Sequence, residues 1–132
     1  MKNIYLSLLF IFLLTYSFGQ KCYIGFDREE IKVKISNDSS LSILKDTTNR
    51  ISVINNELDF GASYYIDGNG KCYSYLLFYK YYVMNDIIKT LNTNFVKYDE
   101  KHWLNFTKMG IYQLELQREE NFFVIVWTFK GK

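Results

Sequence analysis

The sequence predicts an α+β fold, an antiparallel sheet with two helices on one face. Three stretches carry that expectation. "MNDIIKTLNTNF" places Met84, Ile87, Ile88 and Leu91 on one side of a helix. "LDFGASYYI" (58–66) and "KCYSYLLFYK" (71–80) read as strands joined by Asp67-Gly68-Asn69-Gly70, and the Asp-Gly and Asn-Gly pairs supply the positive φ angles that hairpin turns need. "GIYQLELQ" and "NFFVIVWTFK" form a last hairpin around Arg118-Glu119-Glu120.

The chain opens with Lys2, then an uncharged apolar run from Ile4 to Tyr16, then Ser17-Phe18-Gly19 with small residues at the −3 and −1 positions. That is the pattern of a signal peptide cleaved before Gln20. A membrane span needs about 20 apolar residues, and the run ends earlier, at Phe18. Residues 1–19 are therefore expected to be removed, leaving 20–132 as one exported domain, periplasmic or secreted, with no stable membrane span. Cys22 follows Gln20-Lys21 rather than a small residue, which argues against lipidation.

"GFDREEIKVKIS" sends two signals. Asp27 with Glu30 has capping-box spacing, while Ile31, Val33 and Ile35 alternate with lysines as in a strand. An acidic start and basic second half suit a helix dipole, so a helix from Arg28 is favoured. Strands are expected at 41–45 and 50–54, before the 58–80 hairpin. Asn85 is the expected N-cap of the second helix. Strands then return at "FVKYD" (95–99) and "HWLNF" (102–106). The final strand is apolar on both faces and is expected in the middle of the sheet.

The order is thus helix, four strands, helix, four strands. "SILKDTTNRISVI" matches "NFVKYDEKHWLNF" in pattern, which suggests tandem α-β4 repeats over 25–80 and 84–130. An exported pair of α-β4 units resembles the β-lactamase inhibitor proteins, binding proteins with tandem repeats and a curved antiparallel sheet. "GFDREEIK" also resembles the helix start of the small lipoprotein subunit of the outer-membrane barrel-assembly machine. In that match Gly25 leads the turn, Asp27 caps and Ile31 packs. Neither resemblance carries over a functional residue.

Composition narrows the chemistry. The net charge of +2 leaves no electrostatic footprint for nucleic acid. The aromatic fraction is 19%, but proline is absent and Ala62 is the only alanine, so AT-rich codon usage accounts for part of the tyrosine content. Cys22 and Cys72 permit one disulfide in an oxidising compartment, with two separate thiols as the other reading. His102 is the only histidine, and no G-x-S-x-G elbow accompanies it. Carboxylates that could serve a glycosidase are Glu29, Glu30, Asp59, Asp67, Asp99, Glu100, Glu119 and Glu120, mostly at helix starts and turns. Asp67 and Asn69 have the first spacing of a calcium loop, but Lys71 and Phe78 stand where further ligands belong. No metal or cofactor is expected.

Strict alternation along 71–80 puts Tyr73, Tyr75, Leu77 and Tyr79 on one face. It puts Cys72, Ser74, Leu76, Phe78 and Lys80 on the other, taken as the helix side. Tyr73, Tyr75 and Tyr79 are then the candidate contact surface for a protein or glycan. The expected role is a noncatalytic, macromolecule-binding or envelope-associated module. The alternative is a small hydrolase acting on cell-wall or glycan material.

Overall fold

The computed structural model describes residues 22–57 and 60–132. The expected signal peptide, 1–19, lies outside the described residues, as does Asp59. The elements are α1 (Arg28–Ser36), β1 (Leu41–Thr47), β2 (Arg50–Asn55), β3 (Phe60–Ile66), β4 (Cys72–Lys80), a 3-10 turn (Tyr81–Val83), α2 (Met84–Asn94), β5 (Val96–Lys97), β6 (His102–Thr107), β7 (Gly110–Arg118) and β8 (Phe122–Gly131). All eight strands form one antiparallel sheet in the order β1-β2-β3-β4-β8-β7-β6-β5. Each run of four strands is a meander. The two runs meet along β4 and β8, where Tyr75 pairs with Trp127 and Tyr79 with Phe123.

The apolar run of β8 has the central place its two-sided hydrophobicity predicts. Phe123, Ile125 and Trp127 join the main core, and Val124 is buried on the alternate side. That core is one cluster. It takes Ile31 and Ile35 from α1, Ile87 and Leu91 from α2, and Ile51, Val53, Tyr75, Leu77, Tyr79, Leu114 and Trp103 from the sheet.

Both helices form where they are expected, the first from its charge pattern and the second from its periodicity, but neither has the expected cap. Asp27 occupies the N-cap position of α1 but makes no side-chain cap. Its carboxylate instead meets Lys71 Nζ at 2.8 Å, and its backbone bridges to Lys71. Arg28 and Lys32 reach across to Asp46 on β1 and fasten the helix there. In α2, Asn85 is not the cap. The 3-10 turn delivers the chain straight into the helix at Met84, so Asn85 falls inside its first turn. Trp103 Nε1 donates to Asn92 Oδ1 at 2.9 Å and ties the end of α2 to β6.

The turn between β3 and β4 closes through Asp67. Its Oδ1 accepts from the amides of Asn69 and Lys71 at 2.8 and 3.0 Å, and of the two glycines in the turn Gly70 takes a positive φ, +78°. The carboxylate that suggested calcium is spent on its own turn.

Gly110 opens β7 at φ +143°, and a Cβ there would stand 2.4 Å from the Phe129 ring. Gly110→Ala is therefore expected to cost about 2 kcal/mol, from backbone strain and displacement of that ring. A urea melt checks this, and an unchanged midpoint would show that the turn relaxes freely.

Candidate functional site

The structure corrects the tyrosine row. Tyr75 and Tyr79 are 2% and 1% exposed and belong to the core, whereas Tyr73 is 53% exposed. The core side of β4 is therefore Tyr75, Leu77 and Tyr79, and Leu76, Phe78 and Lys80 lie on the more exposed face. A bulge explains the start of the strand. Tyr65 pairs with Ser74 and Ile66 with Cys72, so Tyr73 is the extra residue, and Cys72 stays on the core side with Tyr75. The three tyrosines do not form one surface.

The outward side chains make the better site. A groove of about 330 Å³ crosses β1 to β4 and reaches β8. Leu44, Ile54, Phe78 and Phe122 are its apolar walls, and Lys80 stands at its rim. Phe78 and Phe122 lie 5.9 Å apart between ring centres. Its floor is Ser52, Gly61 and Ser63, small residues on adjacent strands, which leave the space that larger ones would fill. The Ser52 and Ser63 hydroxyls bond to each other at 2.8 Å, so the floor holds its polar atoms satisfied. Sequence reading passed over these residues because the site is assembled from five strands. Alternation could have signalled it only once the core face was known.

His102 is placed between two carboxylates. Its Nδ1 meets Asp99 Oδ1 and Oδ2 at 2.7 and 2.8 Å, and its Nε2 faces Glu115 Oε2 at 3.4 Å. The Tyr98 ring stacks on the imidazole at 5.2 Å, and its hydroxyl donates to Gln113. The Lys101 amide and then His102 hold the Asp99 carboxyl below its ordinary value. His102 thus holds the 98–101 loop through Asp99 and faces Glu115 of β7 with its other ring nitrogen. Glu115 was not among the expected carboxylates, since its partner is 13 positions away on another strand.

The remaining carboxylates are scattered. Glu29 and Glu30 are exposed on α1, Asp67 is in its turn, Glu100 faces Lys97, and Glu119 and Glu120 are exposed in the β7–β8 turn. No group of three His, Cys, Asp or Glu residues that could hold a metal occurs among the described residues.

Cys22 and Cys72 are free thiols in one aromatic cluster. The segment before α1 is pinned to β4 by Gly25 N to Cys72 O at 2.7 Å and Cys72 N to Phe26 O at 2.9 Å. Tyr23 packs edge-on against Tyr64 and Tyr75 at 5.1 and 5.8 Å. Burial pushes Cys22 up to about 11 and Cys72 up to about 12, despite a hydrogen bond between Cys22 and Tyr75.

The fold and groove define an antiparallel α+β protein with a recessed sheet surface. Comparison with protein-family models, curated proteins and solved structures gave no match.

Proposed function

We propose that the chain is a noncatalytic module that holds another macromolecule, protein or glycan, against the outward face of its sheet. The observation that carries this reading is the groove, whose apolar walls and satisfied polar floor suit an inserted side chain or sugar face. In this reading α1 and α2 both cover the opposite face, supported by their shared core cluster. The two helix-plus-meander halves joined along β4 and β8 support a tandem α-β4 duplication over 25–80 and 84–130, as in the β-lactamase inhibitor proteins. The signal-like residues 1–19 support export to the periplasm or beyond.

The test is site-specific photocrosslinking in the native host. A benzophenone side chain replacing Phe122 is expected to yield a discrete adduct. The same probe at Tyr82, exposed beside α2, is expected to yield none. Equal adducts from both positions, or none from Phe122, would sink the assignment.

A further inference from the structure

Asn69 and Gly70, in the turn between β3 and β4, form the only Asn-Gly step in the sequence. Asn69 is exposed. Its backbone amide is bonded to Asp67, and its carboxamide has no hydrogen-bond partner among the described residues. Gly70 carries no Cβ, and the space where one would stand meets nothing within 4 Å. The Gly70 amide donates to Asp67 O at 3.1 Å, the longest bond closing the turn, where the others are 2.8, 2.8 and 3.0 Å. An unshielded nitrogen thus follows an unengaged carboxamide carbonyl. Asp67-Gly68 has the same spacing without the same freedom. The Asp67 Oδ1 is held by the Asn69 and Lys71 amides, and a carboxylate accepts a nucleophile far less readily than a carboxamide.

The residues just after Asn69 fasten the segment that leads into α1. Gly70 O accepts from Arg28 N at 3.0 Å, and Lys71 Nζ meets Asp27 Oδ1 at 2.8 Å. Cys72 N donates to Phe26 O at 2.9 Å, and Gly25 N to Cys72 O at 2.7 Å. These contacts strap residues 25–28 to the start of β4. Cys22, just ahead of the strap, is half-buried against the core cluster.

We propose that Asn69 is a self-modifying site, whose conversion to isoaspartate slackens this strap and uncovers Cys22. The Gly70 nitrogen bonds to Asn69 Cγ as its proton leaves to solvent. The Cγ–Nδ2 bond breaks, Nδ2 takes a proton from solvent and departs as ammonia, and a cyclic imide remains. Water then adds to either imide carbonyl. Opening at Cγ gives aspartate, and opening at the backbone carbonyl of residue 69 gives isoaspartate. No oxidant or reductant takes part. Isoaspartate runs the main chain through Cβ and Cγ, a methylene longer, and leaves a new carboxylate beside Asp67. The added length displaces Gly70 O from Arg28 N and Lys71 from Asp27. This site is independent of the groove and of whatever the groove holds.

The test ages the folded full chain in mildly alkaline buffer and follows it by peptide mass mapping and by a thiol reagent without denaturant. The expected result is a gain of about 1 Da confined to residue 69. Most of that product should resist an endoproteinase that cuts before aspartate but not before isoaspartate. Burial pushes the Cys22 thiol up to about 11, so fresh protein labels slowly there. Aged protein is expected to label at Cys22 at least about tenfold faster. Asn69→Gln, which would have to close a larger ring, should keep both its mass and its slow labelling. Fresh Asn69→Asp carries the charge without the added methylene and should also label slowly. Three outcomes overturn the proposal. The mass gain could appear only in urea-unfolded chain, which would mean that the bond from Gly70 to Asp67 protects the site. It could appear at residue 69 while Cys22 labelling stays unchanged, which would mean that the strap does not depend on this turn. It could appear equally in Asn69→Gln, which would place the modification at another asparagine.

Discussion

Replacing Trp127 with alanine is expected to remove about 3–5 kcal/mol of stability, the range for emptying a buried large aromatic site. Trp127 is fully buried in β8 and stacks on Tyr75 at 5.3 Å and 14°. Phe95, just past α2, packs edge-on against it at 5.7 Å. In register it sits between Tyr75 of β4 and Leu114 of β7, so it is where the two meanders and the second helix meet. Total stabilities of such domains are about 5–15 kcal/mol, so the variant keeps only part of its margin. Its melting temperature should fall by about 10 °C or more. Trp127→Phe should recover part of the loss by refilling part of the volume. A loss below about 1 kcal/mol for the alanine variant would mean that the two halves do not share this core.

Alkaline unfolding that starts near pH 9 is the second expected result. Burial raises Cys22 to about 11 and Cys72 to about 12, against an ordinary 9.0. It also lifts Tyr64, Tyr75 and Tyr79 well above their ordinary 10.0. Below pH 9 the folded and unfolded chains both keep these protons, and the groups contribute their full stability. As pH rises further, the unfolded chain releases protons that the folded chain retains. Stability is then lost progressively until the folded values are reached. Each unit of separation is worth about 1.4 kcal/mol, so the two thiols alone supply several. Urea midpoints should hold level up to about pH 9 and drop steeply above it. Replacing both thiols, Cys22→Ser with Cys72→Ser, should move the onset toward 10, where the phenols begin, whereas Cys72→Ser alone should only make the fall above pH 9 shallower. Titration with a thiol reagent in denaturant should find both cysteines free. Midpoints unchanged to pH 11, or an onset indifferent to the loss of both thiols, would refute the linkage.

The elements of this fold were legible in the sequence, but the facing of one strand was not. Turn residues at 67–70, helical spacing over 84–91 and the two-sided apolar run of β8 each led to the observed element. In β4 both alternating sets are hydrophobic, Tyr75-Leu77-Tyr79 against Leu76-Phe78, so no polar side marks the outside. The bulge at Tyr73 then separates Cys72 from the set that alternation gives it. Long-range pairs were equally hidden. Capping rules see Asp27 and Glu30, whereas Asp27 spends its charge on Lys71. The groove draws Ser52, Gly61, Phe78 and Phe122 from separate strands, and no local pattern joins them.

The central position of β8 also sets when the molecule can become whole. β1 to β4 can pair as soon as they leave the ribosome, yet the inner edge of β4 waits for β8, which follows β5 to β7 in the chain. Ser74 meets Thr128, and Lys80 meets Phe122, across the full second half of the chain. Contacts so distant in sequence close late and slowly. A growing chain therefore carries an unpaired, aromatic β4 edge until β8 is added. Such an open edge is what holding chaperones can engage, and the arrival of β8 removes it.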